Sequence, residues 1–368
     1  MKRRYKVASW FLGIPAIAIV VLGSVLAYTP ACSESVEAAA PAGSMAAIQR
    51  RCYGPPQVLE LVHVPRPVPA AGELLVKVHA ASVNPLDWHV MRGKPFIMRM
   101  DSGIGVPKNP KMGVDFSGTV EAVGAGVKTF KVGDDVFGGR RGAFAEYLAV
   151  NEADVARKPA NASHADAAAV PIAAVTALQA LRNEGHLKAG QKVLINGASG
   201  GVGTYAVQIA KALGAEVTGV CSTRNVGLVA SLGADRVLDY QNVDFTRDAA
   251  RYDLVVDTVG NRSIGEVLEV LQPQGIYVVV GAPSNDPWLG PVSKLIAAKA
   301  RGSFTDHPLK FFIADLNATD LGEVANMMLS GRVKSVIDRT YPLAQVPQAV
   351  AYVEEGHARG KVIVSISP

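Results

Sequence analysis

After Ala46, the first half of the chain consists of short apolar runs separated by glycine-rich turns. The runs Leu74–Ala80, Phe116–Val123 and Phe144–Val150 have the length of strands, and Gly-Asp and Gly-Gly pairs separate the last two. Apolar runs bounded by such residues predict strands joined by turns. We therefore expect a small β-barrel domain, with its first part at residues 45–170.

From Ala165 onward the pattern changes, because helical stretches now alternate with strand-like runs. Alternation of this kind predicts a parallel sheet flanked by helices, which we place at residues 171–305. The predicted strands of this sheet are Val193–Asn196, Glu216–Val220, Asp253–Asp257 and Ile276–Val280.

The regular alternation fades after about residue 305. Three later segments are expected to return the chain to the first domain, to which we assign residues 306–368. They are a strand-like run at Val333–Arg339, a helical stretch at Gln345–Glu355 and a strand at Lys361–Ser365.

A run of roughly 19 uncharged, mostly apolar residues, Trp10–Tyr28, follows a basic N-terminus. A helix needs about 20 residues to cross a bilayer, whereas the apolar core of a cleaved signal peptide has roughly 7–15. We therefore expect residues 1–31 to be an uncleaved membrane anchor, and residues 32–44 to be a flexible tether. The alternatives are a cleaved export signal, a lipoprotein modified at Cys32 and a soluble form that starts at Met45.

Composition narrows the class of protein. A hydrophobic content of 49% with 36 glycines among 368 residues fits a two-domain α/β enzyme better than a disordered or fibrous protein. The net charge of +5 comes mainly from four basic residues before position 7, so the remainder is near neutral and no nucleic-acid partner is expected. Cys32, Cys52 and Cys221 are widely spaced, so we predict neither a disulfide framework nor a Cys-x-x-Cys metal site.

The segment Val193–Thr204 reads as a strand, a tight turn and the start of a helix. Ala198, Gly200 and Gly203 fill the three positions of a G-x-G-x-x-G pattern, with alanine in the first place. Such a turn lets the backbone approach a pyrophosphate, and the helix N-terminus presents N–H groups to it. A second strand-like run, Ala215–Val220, follows about a dozen residues later, which is the spacing of a βαβ unit. The segment therefore predicts a dinucleotide-binding site.

The end of the second strand indicates which dinucleotide is bound. A site for NADH usually carries Asp or Glu here to bind the ribose 2′-hydroxyl, but Cys221–Asn225 contains no acid. Ser222 and Arg224 could instead donate hydrogen bonds to a 2′-phosphate. We therefore expect NADPH. The alternative interpretation is that Arg224 is a solvated residue that opens the next helix.

Further motifs occur along the chain in the order of a known family. Ala81–Trp88 matches S-[VL]-N-P-x-D, and residues 113–134 match G-x-D-x-x-G…V…VG…GD. Residues 168–181 match an interdomain helix, and residues 356–362 match a closing Gly-Lys-Val motif. Over nearly everything after Ala46, the chain resembles the medium-chain dehydrogenase/reductase superfamily in its zinc-free quinone oxidoreductase branch. It is similar to the chloroplast-envelope quinone oxidoreductase-like proteins and the mitochondrial reticulon-interacting reductases.

The resemblance implies a fold and a set of site residues. The fold is α/β, a Rossmann-type doubly wound parallel sheet with a GroES-like β-barrel catalytic domain, to which the N-terminal transmembrane helix is added. The implied catalytic residues are Asn84, Asp87 and Trp88. The implied NADPH-binding residues are Thr176, Ser199, Gly200, Gly201, Val202, Gly203, Ser222, Thr223, Arg224, Tyr240, Val259, Gly281 and Lys361.

We expect no metal. Zinc-bearing members of the superfamily carry a catalytic cysteine near Val83 and a Gly-His-Glu motif where this chain has Gly113–Asp115. A catalytic zinc needs three protein ligands, and these positions supply only Asp115. The remaining candidates, His79, His89 and His164, are interpreted as surface or partly buried histidines.

Without a metal to stabilise an alkoxide, reduction of a quinone or an activated C=C bond is favoured over alcohol oxidation. The developing oxyanion then needs only hydrogen-bond donors, and we expect the Asn84 amide to be one. A short-chain dehydrogenase is excluded because no tyrosine has lysine four residues later, and no Gly-Lys-Ser/Thr follows the glycines as in an NTPase. The alternatives are a non-catalytic NADPH-binding or quinone-handling membrane-tethered protein and a zinc-free alcohol or aldehyde reductase.

The expected partners are a small-molecule quinone or enone and the membrane, which the N-terminal segment would contact. A homodimer is left open. The positive-inside rule places the globular part on the exported side, whereas NADPH is a cytoplasmic metabolite, so the sequence does not decide the side.

Overall fold

The computed structural model describes residues 23–32, 43–281, 287–288 and 305–366. Two large sheets dominate this part of the chain, and each packs against its own hydrophobic cluster. A separate antiparallel pair, β1 (Ser44–Arg50) and β2 (Leu59–Pro65), precedes them.

The first large sheet belongs to the predicted GroES-like domain. Its strands are β3 (Glu73–Val83), β4 (Asp115–Val123), β5 (Asp135–Gly139), β6 (Tyr147–Asn151), β7 (Val155–Arg157), β14 (Ile337–Pro342) and β15 (Lys361–Ser365). Their order is β14-β15-β3-β4-β5-β7, with β6 paired to β3. All pairs are antiparallel except β14 with β15.

Alternation of side chains along β3 explains the core of this domain. Val76 and Val78 are fully buried and share one cluster with Phe116 and Phe144, whereas Lys77 between them is exposed. Successive side chains of a strand point to opposite faces, so this alternation fixes which face of β3 covers the core.

The second large sheet is the predicted Rossmann-type sheet. Its strands are β8 (Lys192–Asn196), β9 (Glu216–Cys221), β10 (Arg236–Asp239), β11 (Tyr252–Asp257), β12 (Leu271–Val279) and β13 (Leu309–Phe311). All neighbours are parallel, in the order β10-β9-β8-β11-β12-β13. The doubly wound parallel sheet is therefore confirmed.

The chain runs outward from β8 in one direction and from β11 in the other. The strand order thus reverses between β8 and β11, which end at Asn196 and Asp257. In open parallel sheets the ligand binds beyond the carboxyl ends of the strands at such a point. The side chains there are fixed, because Asn196 Nδ2 donates to Asp257 Oδ1 over 2.9 Å.

Helices cover both sheets. Within the described residues after position 43, the α-helices are α1 (Pro85–Arg92), α2 (Arg99–Ser102), α3 (His164–Ala168), α4 (Pro171–Gln179), α5 (Gly201–Ala212), α6 (Val226–Ser231), α7 (Ile264–Leu268), α8 (Ala318–Leu329) and α9 (Val346–Glu354). A π-helical turn, Ala180–Glu184, extends α4. Short 3-10 turns lie at Pro56–Val58, Phe96–Met98, Glu152–Asp154, Thr223–Asn225, Phe245–Arg247 and Leu343–Gln345.

The return to the first domain is made by β14, α9 and β15. β15 pairs with β3, and its last residues bring Ser365 opposite Ala80. The Rossmann-type sheet extends past the predicted boundary at residue 305, because β13 pairs with β12 at Leu309–Phe311. The return therefore begins after this strand.

The predicted membrane-spanning helix and the localisation based on it need correction. Within the described ranges, no helix is long and apolar enough to cross a membrane. Residues 10–22 of the predicted span lie outside those ranges. The remaining part packs on the protein instead: Leu26 is buried, and the Arg99 guanidinium donates to the carbonyls of Leu26 and Tyr28 at 3.1 and 3.0 Å.

The expectation of no disulfide is also wrong. Cys32 and Cys52 form a disulfide, with their Cα atoms 5.4 Å apart. Cys221 is a buried free thiol. The disulfide joins the segment at residues 23–32 to the loop after β1, so Cys32 is not available as a lipid attachment site. Residues 33–42, most of the predicted tether, lie outside the described ranges.

Candidate active site

The glycine loop joins β8 to α5, and three glycines shape it. Gly197 has a φ of +84°, a left-handed conformation that L side chains rarely adopt. At Gly203 a Cβ would lie 2.0 Å from the Gly197 oxygen, so helix and loop pack too closely for any side chain. At Gly200 a Cβ would meet only the Gly197 oxygen at 3.4 Å, which leaves that position open. Gly197, not Ala198, therefore makes the tight turn of the motif.

The residues after β9 form the second wall of the site. The Ser222, Thr223 and Arg224 side chains are partly or fully exposed, and Arg224 Nη2 donates to the His357 carbonyl at 2.8 Å. Thr223 Oγ1 donates to Asp239 Oδ2 at 2.6 Å. Tyr240, 49% exposed, follows β10 and its N–H bonds the Cys221 carbonyl, so it lies at the same sheet edge.

The C-terminal segment closes over the glycine loop. The Gly360 N–H donates to the Ser199 carbonyl at 2.9 Å, and the Lys361 side chain runs beside Gly201, where a Cβ would lie 3.3 Å from Lys361 Cδ. Since Lys361 begins β15, the strand that pairs with β3, it connects the glycine loop to the catalytic domain.

Asn84 and Asp87 lie at the start of α1. Pro85 occupies the first helical position, where its missing N–H costs nothing. The Asn84 N–H donates to Asp87 Oδ2 at 2.8 Å, which is one half of a capping box. The sequence S-V-N-P-x-D thus builds a rigid helix start and buries both polar side chains.

A buried polar cluster surrounds Asp115, the first residue of β4, which lies beside the N-terminus of α1. Asp115 Oδ2 accepts from Asn84 Nδ2 at 2.9 Å and from Ser82 Oγ at 3.0 Å, and Oδ1 accepts from the Ile172 N–H at 3.1 Å. Lys361 Nζ donates to Asn84 Oδ1 at 2.5 Å and lies 3.4 Å from Asp115 Oδ2. The charges are thus paired, as buried charges must be.

Burial changes the acidity of two members of this cluster. It raises the pKa of Asp87 to about 7, although hydrogen bonds from the Asn84 and Gly113 N–H groups oppose the rise. Burial also lowers the pKa of Lys361, while the Asp115 carboxylate holds it up. Perturbed groups that converge in a cleft are typical of functional sites.

Models of two known families match the chain: an alcohol dehydrogenase GroES-like domain at residues 70–160 and a zinc-binding dehydrogenase at residues 232–364. A chloroplast envelope quinone oxidoreductase homolog from Arabidopsis thaliana is 37% identical, covering 87% of this chain and 98% of the relative. The mitochondrial NAD(P)H oxidoreductase RTN4IP1 of Mus musculus is 34% identical, covering 84% of each. The chain belongs to the quinone oxidoreductase branch of the medium-chain dehydrogenase/reductase superfamily.

A solved structure agrees with this assignment. The quinone oxidoreductase from Coxiella burnetii superposes with a TM-score of 0.77 at 31% identity, over 88% of this chain and all of that one. The predicted family is therefore confirmed, and with it an oxidoreductase that uses a nicotinamide cofactor.

The residues of the superfamily site fit a nicotinamide dinucleotide. Gly203 permits the close contact of helix and loop, and the open position at Gly200 leaves room for a pyrophosphate at the start of α5. Ser199, Gly201 and Val202 complete the loop and the first turn of this helix.

Three other predicted cofactor residues follow strands of the parallel sheet or lie in the helix beside Asp115. Val259 and Gly281 follow β11 and β12, and their N–H groups bond the Asp257 carboxylate and carbonyl respectively. Thr176 is in α4, one turn after Ile172, whose N–H binds Asp115. Trp88 was predicted to be catalytic together with Asn84 and Asp87. Its side chain packs against the core of the catalytic domain and stacks on His89, with ring centroids 3.5 Å apart.

The candidate metal ligands do not converge. Across the described residues, no group of three or more His, Cys, Asp or Glu side chains could hold a metal ion. The rings of His79 and His164 have centroids 4.4 Å apart and are tilted by 40°, and His89 Nδ1 bonds the Lys94 carbonyl. Zinc independence stays a prediction that elemental analysis must test.

Sequence reasoning missed three contributors to the site. Asp115 was considered only as a zinc ligand, although its place in the G-x-D motif marked it as a site residue. Gly360 belongs to the closing Gly-Lys-Val motif, but the motif does not show that its N–H binds the Ser199 carbonyl. Asn225 had no signal, because its role depends on a contact with Ser199, 26 positions away.

Proposed function

We propose that the protein is an NADPH-dependent, metal-independent oxidoreductase that reduces quinones or the activated C=C bond of α,β-unsaturated carbonyls. The observation that carries the proposal is the position of Lys361. Its side chain runs beside Gly201 of the glycine loop and ends on Asn84 and Asp115. A single cation therefore contacts both the predicted cofactor loop and the predicted catalytic residues.

The end of β9 supports NADPH rather than NADH. Ser222 and Arg224 supply donors where NADH-binding sites carry a carboxylate. The Arg224 guanidinium is held by the His357 carbonyl, and charge-assisted hydrogen bonds from it would favour a 2′-phosphate. The neighbouring acid, Asp239, accepts hydrogen bonds from Thr223 and Asn242, so its charge is partly satisfied within the turn.

When bound, the reduced nicotinamide supplies a hydride to an electron-poor carbon of the substrate. Negative charge then develops on a substrate oxygen, and fixed donors in a dry site stabilise it most effectively. Asn84 is the proposed donor. One N–H of its amide is used by Asp115 at 2.9 Å, and the other makes only a long contact of 3.5 Å with the Ser82 carbonyl. That second N–H is the proposed donor to the substrate oxygen.

The other members of the cluster position this donor. The Lys361 ammonium binds the Asn84 carbonyl, which polarises the amide and strengthens its N–H donors. Asp87 fixes the Asn84 backbone, because its carboxylate accepts the Asn84 N–H. Asp115 balances the lysine charge. We expect the proton for the product to come from solvent.

NADPH oxidation should be followed by absorbance against a panel of quinones and enones, with NADH and simple aldehydes as controls. The expected result is turnover of quinones or enones with NADPH, unchanged by chelators, in protein without stoichiometric zinc. Tight NADPH binding with no turnover would favour a non-catalytic binding protein. Turnover of aldehydes alone would favour the alcohol or aldehyde reductase alternative.

A further inference from the structure

We propose that Asn225 is a positioning residue that fixes the direction of two serine hydroxyls, Ser199 and Ser222, so that both donate to the anionic groups of the cofactor. The inference rests on the proposed NADPH function and adds to it a residue that does not touch the chemistry. Asn225 would orient the two hydroxyls before the cofactor binds.

Asn225 lies in the turn after β9 but points inward. It is 5% exposed, whereas the adjacent Arg224 is exposed. Its Nδ2 donates to Ser199 Oγ at 3.0 Å and to Ser222 Oγ at 3.1 Å. One amide thus joins the glycine loop to the end of β9.

The direction of these hydrogen bonds decides what the serines can do. A serine hydroxyl has one donor and two acceptor positions. Because each Oγ already accepts an N–H from Asn225, neither hydroxyl proton can point at that amide. Both protons are then available to acceptors in the cleft. Phosphate groups are acceptors only, so donors that are already oriented lose less freedom on binding.

The reverse orientation of the amide is disfavoured. Asn225 Oδ1 is buried without a hydrogen-bond partner among the described residues, so the observed orientation leaves one acceptor unpaired. Rotating the amide by 180° would put its two N–H donors, without acceptors, where Oδ1 now lies. It would also draw both serine protons away from the cleft. Buried unpaired N–H groups are rarer in proteins than unpaired carbonyls, which favours the observed orientation.

Two substitutions separate this role from simple packing. Asn225→Asp keeps the shape but replaces the donor with an acceptor, so both serine protons would turn toward position 225. Asn225→Ala removes the amide without reversing anything. Asn225→Asp should therefore impair NADPH binding more than Asn225→Ala. If Asn225 only filled space, the isosteric Asn225→Asp would be the milder change.

The readout is the dissociation constant of NADPH, measured by calorimetry, which does not depend on turnover. We expect Asn225→Ala to raise it about tenfold and Asn225→Asp about a hundredfold, the range for one to two weakened charged hydrogen bonds. Asn183→Asp, an exposed asparagine beside Arg182, is the matched control for adding a carboxylate and should change binding less than twofold. Thermal unfolding of each variant checks that it is folded.

A Ser199→Ala, Ser222→Ala background separates hydroxyl direction from added charge. In that background, Asn225→Ala should have almost no further effect on the NADPH dissociation constant. Asn225→Asp should weaken binding only through the repulsion between its charge and the cofactor.

Equal effects of Asn225→Ala with and without the serines, or a milder effect of Asn225→Asp than of Asn225→Ala, would overturn the inference. Failure of the unmodified protein to bind NADPH would remove the proposed function and the inference together. If Asn225→Asp weakens NADPH binding more than Asn225→Ala but the protein turns over neither quinones nor enones, the inference stands and the proposed reaction fails.

Discussion

The Nζ atom of Lys361 lies 2.5 Å from Oδ1 of Asn84, although the two residues are 277 positions apart in the chain. The lysine is 3% exposed and the asparagine 2%. A buried ammonium therefore rests on a neutral amide, with Asp115 as its counter-ion at 3.4 Å. The stability of this part of the catalytic domain therefore depends on residues of the candidate active site.

Lys361→Met should destabilise the protein, because it leaves the Asp115 carboxylate buried without its counter-ion. Breaking a buried pair costs about 3–5 kcal/mol. We expect the lower end, since Asp115 keeps donors from Ser82, Asn84 and Ile172. Urea unfolding measures the loss. The double variant with Asp115→Asn should recover much of it, and a double variant as unstable as the sum of the two single ones would contradict the pairing.

Asn84→Ala should lower turnover by about tenfold to a thousandfold, the upper end being the cost of one oxyanion donor. NADPH affinity should change little, because Asn84 is predicted to act on the substrate oxygen. Steady-state kinetics with a quinone and an enone give kcat, and calorimetry gives the cofactor dissociation constant. An unchanged kcat would remove Asn84 from the mechanism.

Arg224→Ala should weaken NADPH binding by about 1–3 kcal/mol, the scale of a charged hydrogen bond, and leave NADH nearly unchanged. The side chain is held near the cleft by its hydrogen bond to the His357 carbonyl. Arg251→Ala is the control, because this exposed arginine donates to the local carbonyls of residues 248–250. Equal losses for both cofactors would refute the assignment of Arg224 to the 2′-phosphate.

The raised pKa of Asp87 should make the free energy of unfolding depend on pH. Its pKa is raised from 3.8 to about 7 in the folded protein, so between these values the folded state holds a proton that the unfolded state has released. Stability therefore falls as pH rises through this window, and the loss is complete above about pH 7. Asp87→Asn keeps an oxygen for the Asn84 N–H but does not titrate. Chemical unfolding from pH 4.5 to 7.5 should show wild type losing stability relative to this variant; parallel curves would contradict the shift.

Cys52→Ser should reduce stability under non-reducing conditions, because the disulfide to Cys32 closes a loop with a sequence separation of 20. Loops of this size are worth about 3 kcal/mol in the chain-entropy model. Unfolding with a dithiol reductant should abolish the difference between wild type and variant. Detection of three free thiols in denatured protein purified without reductant would show that the bond does not form.

Local patterns predicted most of the fold. The apolar runs at Val193–Asn196 and Asp253–Asp257 became β8 and β11, because strand periodicity and glycine turns act over short distances. The dinucleotide loop was predicted from its glycines, but the turn moved to Gly197, since only backbone conformation shows which glycine needs a positive φ.

Contacts between distant residues were not predictable in this way. The Lys361–Asn84 and Arg224–His357 contacts need the C-terminal segment to return over the cleft, and no spacing rule reports that. The Cys32–Cys52 pair belongs to no recognised cysteine motif. The end of the apolar run Trp10–Tyr28 was assigned to a bilayer by its hydropathy, which cannot reveal that Arg99 binds its last carbonyls.

The position of Lys361 in the final strand has a consequence for biosynthesis. The glycine loop and its parallel sheet are translated long before β15, so the nucleotide-binding half can fold while the ribosome is still adding residues. The cation that joins this half to Asn84 and Asp115 becomes available only when β15 leaves the exit tunnel. A chain released early, before Lys361, would keep the loop but lack the buried charge that balances Asp115. The buried charge pair around Asp115 can therefore form only after residue 361 has been translated, well after the glycine loop.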